Sequence, residues 1–166
     1  MELKRVVVTG LGAVTPVGNT PEETWKNLLE GKSGAAPITH FDTTLFKTKF
    51  ACEVKDLNLN DYIDRKEARK MDRYCQLAMV SAAQGIKDAD LDLEKEDLNR
   101  IGVVYGVGIG GIQTFQDEVT YYGQHVADGP KFNPFFIPKM IADIAAGQIS
   151  IQYGFHGPNY TTTSAC

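Results

Sequence analysis

Short apolar segments rich in β-branched residues alternate along this chain with segments of helical periodicity. Residues 6–8 and 100–106 are typical of buried strands, and the Thr-rich residues 159–165 are typical of an extended strand. Between them, residues 72–89 place apolar side chains at helical spacing. Strands that alternate with helices predict an α/β layered fold with a substantially parallel core sheet.

The first helix has the clearest sequence boundaries. Thr20 fits an N-cap, Pro21 fits the first helical position, and Glu23 completes a capping box. Gly31 fits the left-handed residue that ends a helix, which predicts a span to about residue 30. Four further segments are predicted: a short strand at 50–54, a helix at 114–122, a stiff apolar loop at 130–138 and a buried helix at 139–153.

Composition excludes several classes of function. The 166 residues are 43% hydrophobic and 23% charged, as in an ordinary globular domain, and the net charge of −4 argues against a nucleic-acid partner. Apolar runs are too short for a membrane span, and the N-terminus has no signal-peptide pattern. We therefore expect a cytoplasmic protein with free thiols and no membrane partner.

Two site motifs fail on inspection. Residues 10–15 resemble the start of a dinucleotide fingerprint, but Thr15 replaces its third glycine and no acidic residue follows at the required distance. A tight turn is the favoured interpretation. No metal site is expected, because metal-ligand spacing is missing from the chain's histidines and cysteines: His40, Cys52, Cys75, His125, His156 and Cys166. We expect Cys52 and Cys75 to be partly buried and the histidines to be solvated.

Five cations lie within residues 65–73, and on a helix they would gather on one broad face. Two interpretations remain open. Sequence alone favours a solvated face, softened by Glu67 and Asp72. The alternative is a docking patch for an acidic partner, because the rest of the chain is acidic.

Cys166 follows the last predicted strand, where a helix would begin. A helix N-terminus stabilises negative charge and would lower the pKa of this thiol, as a nucleophile requires. An inert buried cysteine remains the alternative on chemistry alone.

Several segments, in order along the chain, resemble the elongating β-ketoacyl-acyl carrier protein synthases, with synthase II the nearest type: RVVVTGLGAVTPVG, TWKNLLEGKSG, RKEARKMD, VGIGG, NPFFIP and YGFHGPNYTTTSAC. The resemblance implies a thiolase-like fold, in which two βαβαβαββ halves form α/β/α/β/α layers. Residues 1–166 would be the N-terminal half of such a protein, truncated at its nucleophile.

The resemblance also implies a reaction. Cys166 would take an acyl group from acyl carrier protein as a thioester, and malonyl-acyl carrier protein would lose carbon dioxide and attack it. The product would be a 3-oxoacyl chain two carbons longer. No cofactor is implied, since the acidic carrier brings its own phosphopantetheine arm, and the enzyme would be a homodimer.

Residue by residue, the resemblance assigns carrier docking to Lys66, Arg69 and Lys70. It assigns Ile109 to the acyl pocket and Phe136 to closure of that pocket across the dimer interface. Plain core packing is the alternative for Ile109 and Phe136.

The family also needs two histidines from a C-terminal half, and neither His40, His125 nor His156 matches them. We therefore expect the 166-residue chain alone to be inactive. Three rival functions are a thiolase that uses coenzyme A, a non-catalytic chain-length partner of a polyketide synthase, and a dinucleotide-binding oxidoreductase. The carrier-docking cations argue against the thiolase, and the presence of Cys166 argues against the non-catalytic partner. The incomplete glycine pattern argues against the oxidoreductase.

Overall fold

The computed structural model describes residues 3–164, which form a mixed α/β chain. The helices are α1 Pro21–Leu29, α2 Arg65–Ala68, α3 Arg73–Asp88, α4 Ile112–Gln124, α5 Phe136–Met140 and α6 Ile144–Tyr153. The strands are β1 Ala35–Pro37, β2 Phe50–Cys52, β3 Val103–Val107 and β4 Asn159–Thr163. Short 3₁₀ helices occur at Leu59–Asp61, Leu98–Arg100 and Val126–Asp128. Among the helices of this stretch, none has the length and apolar character that a membrane crossing requires.

The chain divides into two compact units. One comprises Met1–Asn58 and Val80–Asp90, and the other comprises Leu59–Met79 and Leu91–Cys166. The division falls within α3. We refer to them below as the first and the second unit.

The second unit contains the parallel pair that the sequence predicts. Strands β3 and β4 run parallel, with Val103 opposite Asn159 and Val107 opposite Thr163. Helix α6 packs against both strands, and Asn159 Nδ2 donates hydrogen bonds to Ala146 O (2.9 Å) and Ser150 Oγ (2.6 Å). The buried side chains of these segments come from β3, from α6 and from the second residue after α6: Val103, Val107, Ala145, Ala146, Ile149 and Phe155.

In the first unit, α1 begins and ends as predicted. Thr20 Oγ1 accepts a hydrogen bond from Glu23 N at 3.2 Å, and Glu23 Oε2 accepts one from Asn19 N at 2.7 Å. The Glu23 carboxylate thus accepts from the backbone N–H of Asn19, one residue before the N-cap Thr20, whose N–H a standard capping box would use. Gly31 has φ +68°, the left-handed conformation that its position requires.

Residues 10–13 do not form the tight turn that their glycines suggested. They run close to the second part of α3, where Leu11 N donates to Asp88 Oδ2 (2.8 Å) and Ala13 N to Gln84 Oε1 (2.9 Å). A Cβ atom at Gly12 would lie 1.9 Å from Ser81 O. These glycines are therefore explained by close approach to a helix, and the actual turn follows at residues 15–18.

The prediction of a buried strand at residues 6–8 is wrong for the part of the chain that the structure describes. Val6, Val7 and Val8 are 88%, 59% and 81% exposed and belong to no strand. A strand needs a neighbour for its backbone hydrogen bonds, and no strand within residues 3–164 pairs with this segment.

The boundaries of the last two helices also differ from expectation. Helix α5 starts inside the segment predicted to be a loop, and the chain then breaks at Ile141, whose ψ of 139° is extended. Helix α6 begins only at Ile144, although it ends at Gly154 (φ +70°) as predicted. Periodic apolar residues on both sides of Ile141 concealed this break from the sequence pattern.

Candidate functional site

The candidate site lies at the carboxyl ends of β3 and β4. Val107 lies opposite Thr163, and Ser164 N donates to Val107 O at 3.3 Å, so the hydrogen bonding continues one residue past the end of β4. Cys166, the predicted nucleophile, lies outside the described residues. In the sequence it is the third residue after Thr163.

A glycine turn follows β3 and presents Ile109. Gly110 has φ +98°, and a Cβ atom there would lie 2.7 Å from Met140 O. Gly111 N donates to the same Met140 carbonyl at 3.0 Å, which fixes the turn against the end of α5. The Ile109 side chain is 65% exposed, so residues 3–164 leave it uncovered instead of packing it into a core.

Phe136 lies in α5, in an aromatic stack of its own chain. Its ring centroid is 6.3 Å from that of Phe115 in α4 and 5.6 Å from that of Phe132. Tyr122 extends the stack at 5.3 Å from Phe132. Phe136 is therefore half-buried, and the α4–α5 packing holds its ring. The structure brings the turn with Ile109 and the helix with Phe136 together in one unit.

The basic segment, residues 65–73, is not a single helix, so its five cations do not share one helix face. Asp64 Oδ1 caps α2 by accepting from Lys66 N (2.7 Å) and Glu67 N (3.4 Å), but this helix ends at Ala68. Arg73 belongs to α3. The chain turns between them because buried Ala68 and Met71 anchor the linker to the core of the second unit.

The three predicted docking cations differ in their surroundings. Lys66 and Arg69 are exposed and make no ion pair with any residue from 3 to 164. Lys70 Nζ pairs with Glu67 Oε1 at 2.6 Å and lies 5.9 Å from the centroid of the Phe135 ring. The structure thus joins the basic segment to the loop that leads into α5.

Sequence reasoning missed the buried Asp72, which is 7% exposed. Its Oδ1 accepts from Tyr74 N at 3.3 Å, in the first turn of α3. Its Oδ2 accepts from Thr114 N (3.0 Å) and Thr114 Oγ1 (2.6 Å), in the first turn of α4. An aspartate before a helix is a capping signal that could have indicated the first contact. No sequence signal indicates the second, because it joins residues far apart in the chain.

The two described cysteines have opposite environments. Cys75 is fully buried, and desolvation together with nearby Asp72 raises the pKa of its thiol to about 12. It is unsuited to nucleophilic chemistry because the thiolate is the reactive form. Cys52 is exposed, which corrects the expectation that it would be partly buried.

The histidines do not form a site with these residues. His40 Nε2 lies 3.9 Å from Glu53 Oε1, and His125 stacks on Tyr121 with ring centroids 4.2 Å apart. His125 is half-buried, whereas His40 and His156 are exposed. Within residues 3–164, no group of three or more histidine, cysteine or acidic side chains could hold a metal ion.

Comparison with known sequences identifies one family. The model of "Beta-ketoacyl synthase, N-terminal domain" matches residues 3–166. A 3-oxoacyl-[acyl-carrier-protein] synthase 2 from Staphylococcus aureus (strain COL) is 46% identical over 164 residues, which cover 98% of this chain and 39% of that protein. The protein of the same name from Synechocystis sp. is 45% identical over 167 residues, 100% of this chain and 39% of its own length. The chain thus spans about two fifths of these relatives.

Solved structures show the same likeness. The ishigamide ketosynthase/chain length factor superposes with a TM-score of 0.82 at 29% identity, over 96% of this chain and 40% of that one. A type II polyketide ketosynthase, solved with its acyl-carrier protein, gives 0.76 at 26% identity over 96% and 41%. A synthase from Burkholderia phymatum gives 0.79 at 24% identity, over 99% and 40%. These neighbours confirm the predicted thiolase-like α/β fold.

Proposed function

This chain belongs to the β-ketoacyl synthase family through its N-terminal domain, and from that premise we propose that it serves a 3-oxoacyl-[acyl-carrier-protein] synthase of fatty acid biosynthesis. The observation that carries the proposal is the parallel pairing of β3 and β4. Parallel strands end at one edge of a sheet, where α/β proteins bind their ligands. From that edge the chain continues toward Cys166 after one strand and toward Ile109 after the other.

The proposed reaction has two stages. First, the Cys166 thiol releases its proton and attacks the carbonyl carbon of an acyl-carrier thioester as a thiolate; the carrier leaves as a thiolate and takes up one proton, so no net proton is released. Second, malonyl carrier loses carbon dioxide, and the electron pair of the broken C–C bond forms an enolate. The enolate carbon attacks the acyl carbon on Cys166, a C–C bond forms, and the cysteine thiolate departs. A reducing cytoplasm would keep this thiol available.

We assign Ile109 and Phe136 to the acyl pocket. The uncovered side chain of Ile109 supports this role, because an exposed aliphatic group beside the sheet edge is available to an acyl chain. The rings that stack on Phe136 hold this side chain in place on α5, where it would form an aromatic wall of the pocket. Closure of the pocket by a second subunit, and hence the homodimer, is part of the same proposal.

We assign Lys66, Arg69 and Lys70 to docking of an acidic acyl carrier protein. The exposure of Lys66 and Arg69, without neutralising partners in the described residues, supports an attractive surface. A structural neighbour is itself a ketosynthase in complex with its carrier. The phosphopantetheine arm would come with the carrier, and the proposal needs no further cofactor.

The test uses the complete synthase that carries this chain. Incubation with acyl carrier thioester should add one acyl mass at Cys166, and Cys166→Ala should abolish the addition. With malonyl carrier present, mass spectrometry should detect a 3-oxoacyl carrier two carbons longer. An acyl group mapped to exposed Cys52 would overturn the assignment, and efficient use of free coenzyme A in place of the carrier would favour a thiolase.

A further inference from the structure

We propose that Asp72 is a positioning residue that couples the carrier-docking segment to the turn at the acyl pocket, so that docking changes how the pocket accepts the acyl chain. This inference rests on the proposed function. It concerns only residues of the second unit. Its starting point is a buried carboxylate that serves two helices at once.

Each oxygen of Asp72 serves one helix N-terminus. Oδ1 accepts from Tyr74 N at the start of α3, whereas Oδ2 accepts from Thr114 N and Thr114 Oγ1 at the start of α4. Gly111, at the N-cap position of α4, has no side chain to do this. Asp72 therefore replaces the missing cap of α4 from a distant part of the chain, and a carboxylate suits the partial positive charge of both helix ends.

The contact between Asp72 and Thr114 is connected to the glycine turn at the proposed acyl pocket. Thr114 lies in the first turn of α4, directly after the glycine turn that presents Ile109. Gly111 is held by Met140 O at the end of α5, and Tyr74 Oη donates to the carbonyl of the next residue, Ile141. A shift of the segment around Asp72 would therefore act on the turn through two sets of hydrogen bonds.

Asp72 is also connected to the docking cations. Arg69 and Lys70 precede Asp72 by three and two residues, and buried Met71 lies between. Gln76 Nε2, in α3, donates to Ala68 O at 2.9 Å and ties the end of α2 to the same helix. The segment that joins the exposed cations to Asp72 is short and contains a buried residue, so the cations cannot move far without moving the carboxylate.

A residue that only caps the two helices would make the same hydrogen bonds. A residue that also couples docking to the pocket differs from it in one measurable quantity. That quantity is the preference for a long over a short acyl chain, expressed as a ratio of kcat/KM values. If docking acts on the pocket, this ratio depends on whether a carrier or a small pantetheine brings the chain. Coupling between two sites commonly changes an equilibrium affinity about five-fold or more, and a change of that size in acyl-chain binding would be visible in this ratio.

The experiment measures both ratios in the complete synthase and four variants. Asp72→Asn removes one acceptor oxygen. Thr114→Val removes only the hydroxyl contact and keeps the backbone one, so it decides the question if Asp72→Asn does not fold. Thr114→Ser restores the hydroxyl. Asp64→Asn is the matched control, because Asp64 caps α2 and contacts neither α3 nor the turn through any described hydrogen bond.

We expect the carrier and pantetheine ratios to differ about five-fold or more in the parent enzyme, in Thr114→Ser and in Asp64→Asn. The two ratios should become equal in Asp72→Asn and Thr114→Val. Equal ratios in the parent enzyme, or an undiminished difference in Thr114→Val, would overturn the coupling. A parent enzyme that accepts acyl chains from neither donor would instead overturn the proposed function.

Discussion

Lys70 Nζ lies 2.6 Å from Glu67 Oε1, so one of the three cations assigned to docking is already paired within its own segment. Lys66 and Arg69 have no such partner among residues 3–164. The three positions should therefore contribute unequally to the attraction of an acidic carrier. This inequality could not be read from the spacing of the charges.

Alanine substitution should reveal the inequality. In the complete synthase, we expect Lys66→Ala and Arg69→Ala to raise KM for carrier-bound substrate about two- to five-fold, and Lys70→Ala to raise it less. The turnover number should change little, because the field of these charges acts on encounter. Steady-state kinetics at rising salt should show the deficit shrinking, since screening shortens the field to about 8 Å at physiological ionic strength.

A short pantetheine thioester is the control for these variants, because it has no acidic protein attached. Its KM should stay unchanged. Equal losses with carrier and pantetheine substrates would mean that the basic segment serves folding, and the docking assignment would fall.

Glu67→Gln tests the same pair from its acidic side. Removing this carboxylate frees Lys70, so KM for carrier-bound substrate should fall about two-fold at low salt. The gain should disappear in the Lys70→Ala background, where no cation remains to be freed. A fall in KM that persists in that background would contradict the assignment of the effect to Lys70.

The cysteines should differ sharply in reactivity. Because burial raises the pKa of Cys75 to about 12, its thiol stays protonated at pH 8. Iodoacetamide should therefore label exposed Cys52 in the native protein and leave Cys75 unlabelled until the protein is denatured. Peptide mapping by mass spectrometry measures both rates, and similar native rates would contradict the buried position of Cys75.

Two glycine substitutions should have opposite effects on stability. A methyl group at Gly12 would meet Ser81 O, so we expect Gly12→Ala to lower the free energy of unfolding by about 1–3 kcal/mol. Gly123 lies in α4 with open space around it, and Gly123→Ala should raise the free energy by about 0.4–1 kcal/mol. Urea unfolding of both variants measures the difference, and equal midpoints would refute the close approach at Gly12.

The 166-residue chain alone should produce no 3-oxoacyl carrier. The family resemblance implies two histidines that none of His40, His125 and His156 matches, so decarboxylation would lack its catalysts. Mass spectrometry of the purified chain with acyl and malonyl carriers measures this. Any 3-oxoacyl product from a preparation free of longer synthase would show that the missing-histidine argument is wrong.

Local signals predicted the parts of the fold that depend on neighbours in sequence. Thr20, Glu23 and Gly31 bound α1 because capping and left-handed termination are decided within a few residues. The helix at 73–88 and the parallel partners β3 and β4 followed from periodicity and from β-branched composition. For the caps, the helix and the two strands the physical cause lies in the segment itself, whereas the parallel pairing of the strands was predicted from the alternation of strands with helices.

Contacts between distant segments set the rest, and these the sequence did not indicate. Gly12 looked like a turn residue because its requirement for space comes from Ser81. The apolar run at residues 6–8 predicted a strand, but pairing requires a neighbour that residues 3–164 do not supply. Asp72 looked like a charge that merely softened a basic face, whereas its contact with Thr114 makes it a buried acceptor.

The double use of Asp72 limits which residues could stand at position 72. Asparagine offers one acceptor oxygen in place of two, alanine offers none, and glutamate carries an additional methylene that the buried site would have to accommodate. A substitution at position 72 therefore changes the N-terminal hydrogen bonds of α3 and of α4 at the same time. An engineer who wished to alter the pocket or the docking surface separately would have to give α4 a cap of its own before changing this residue.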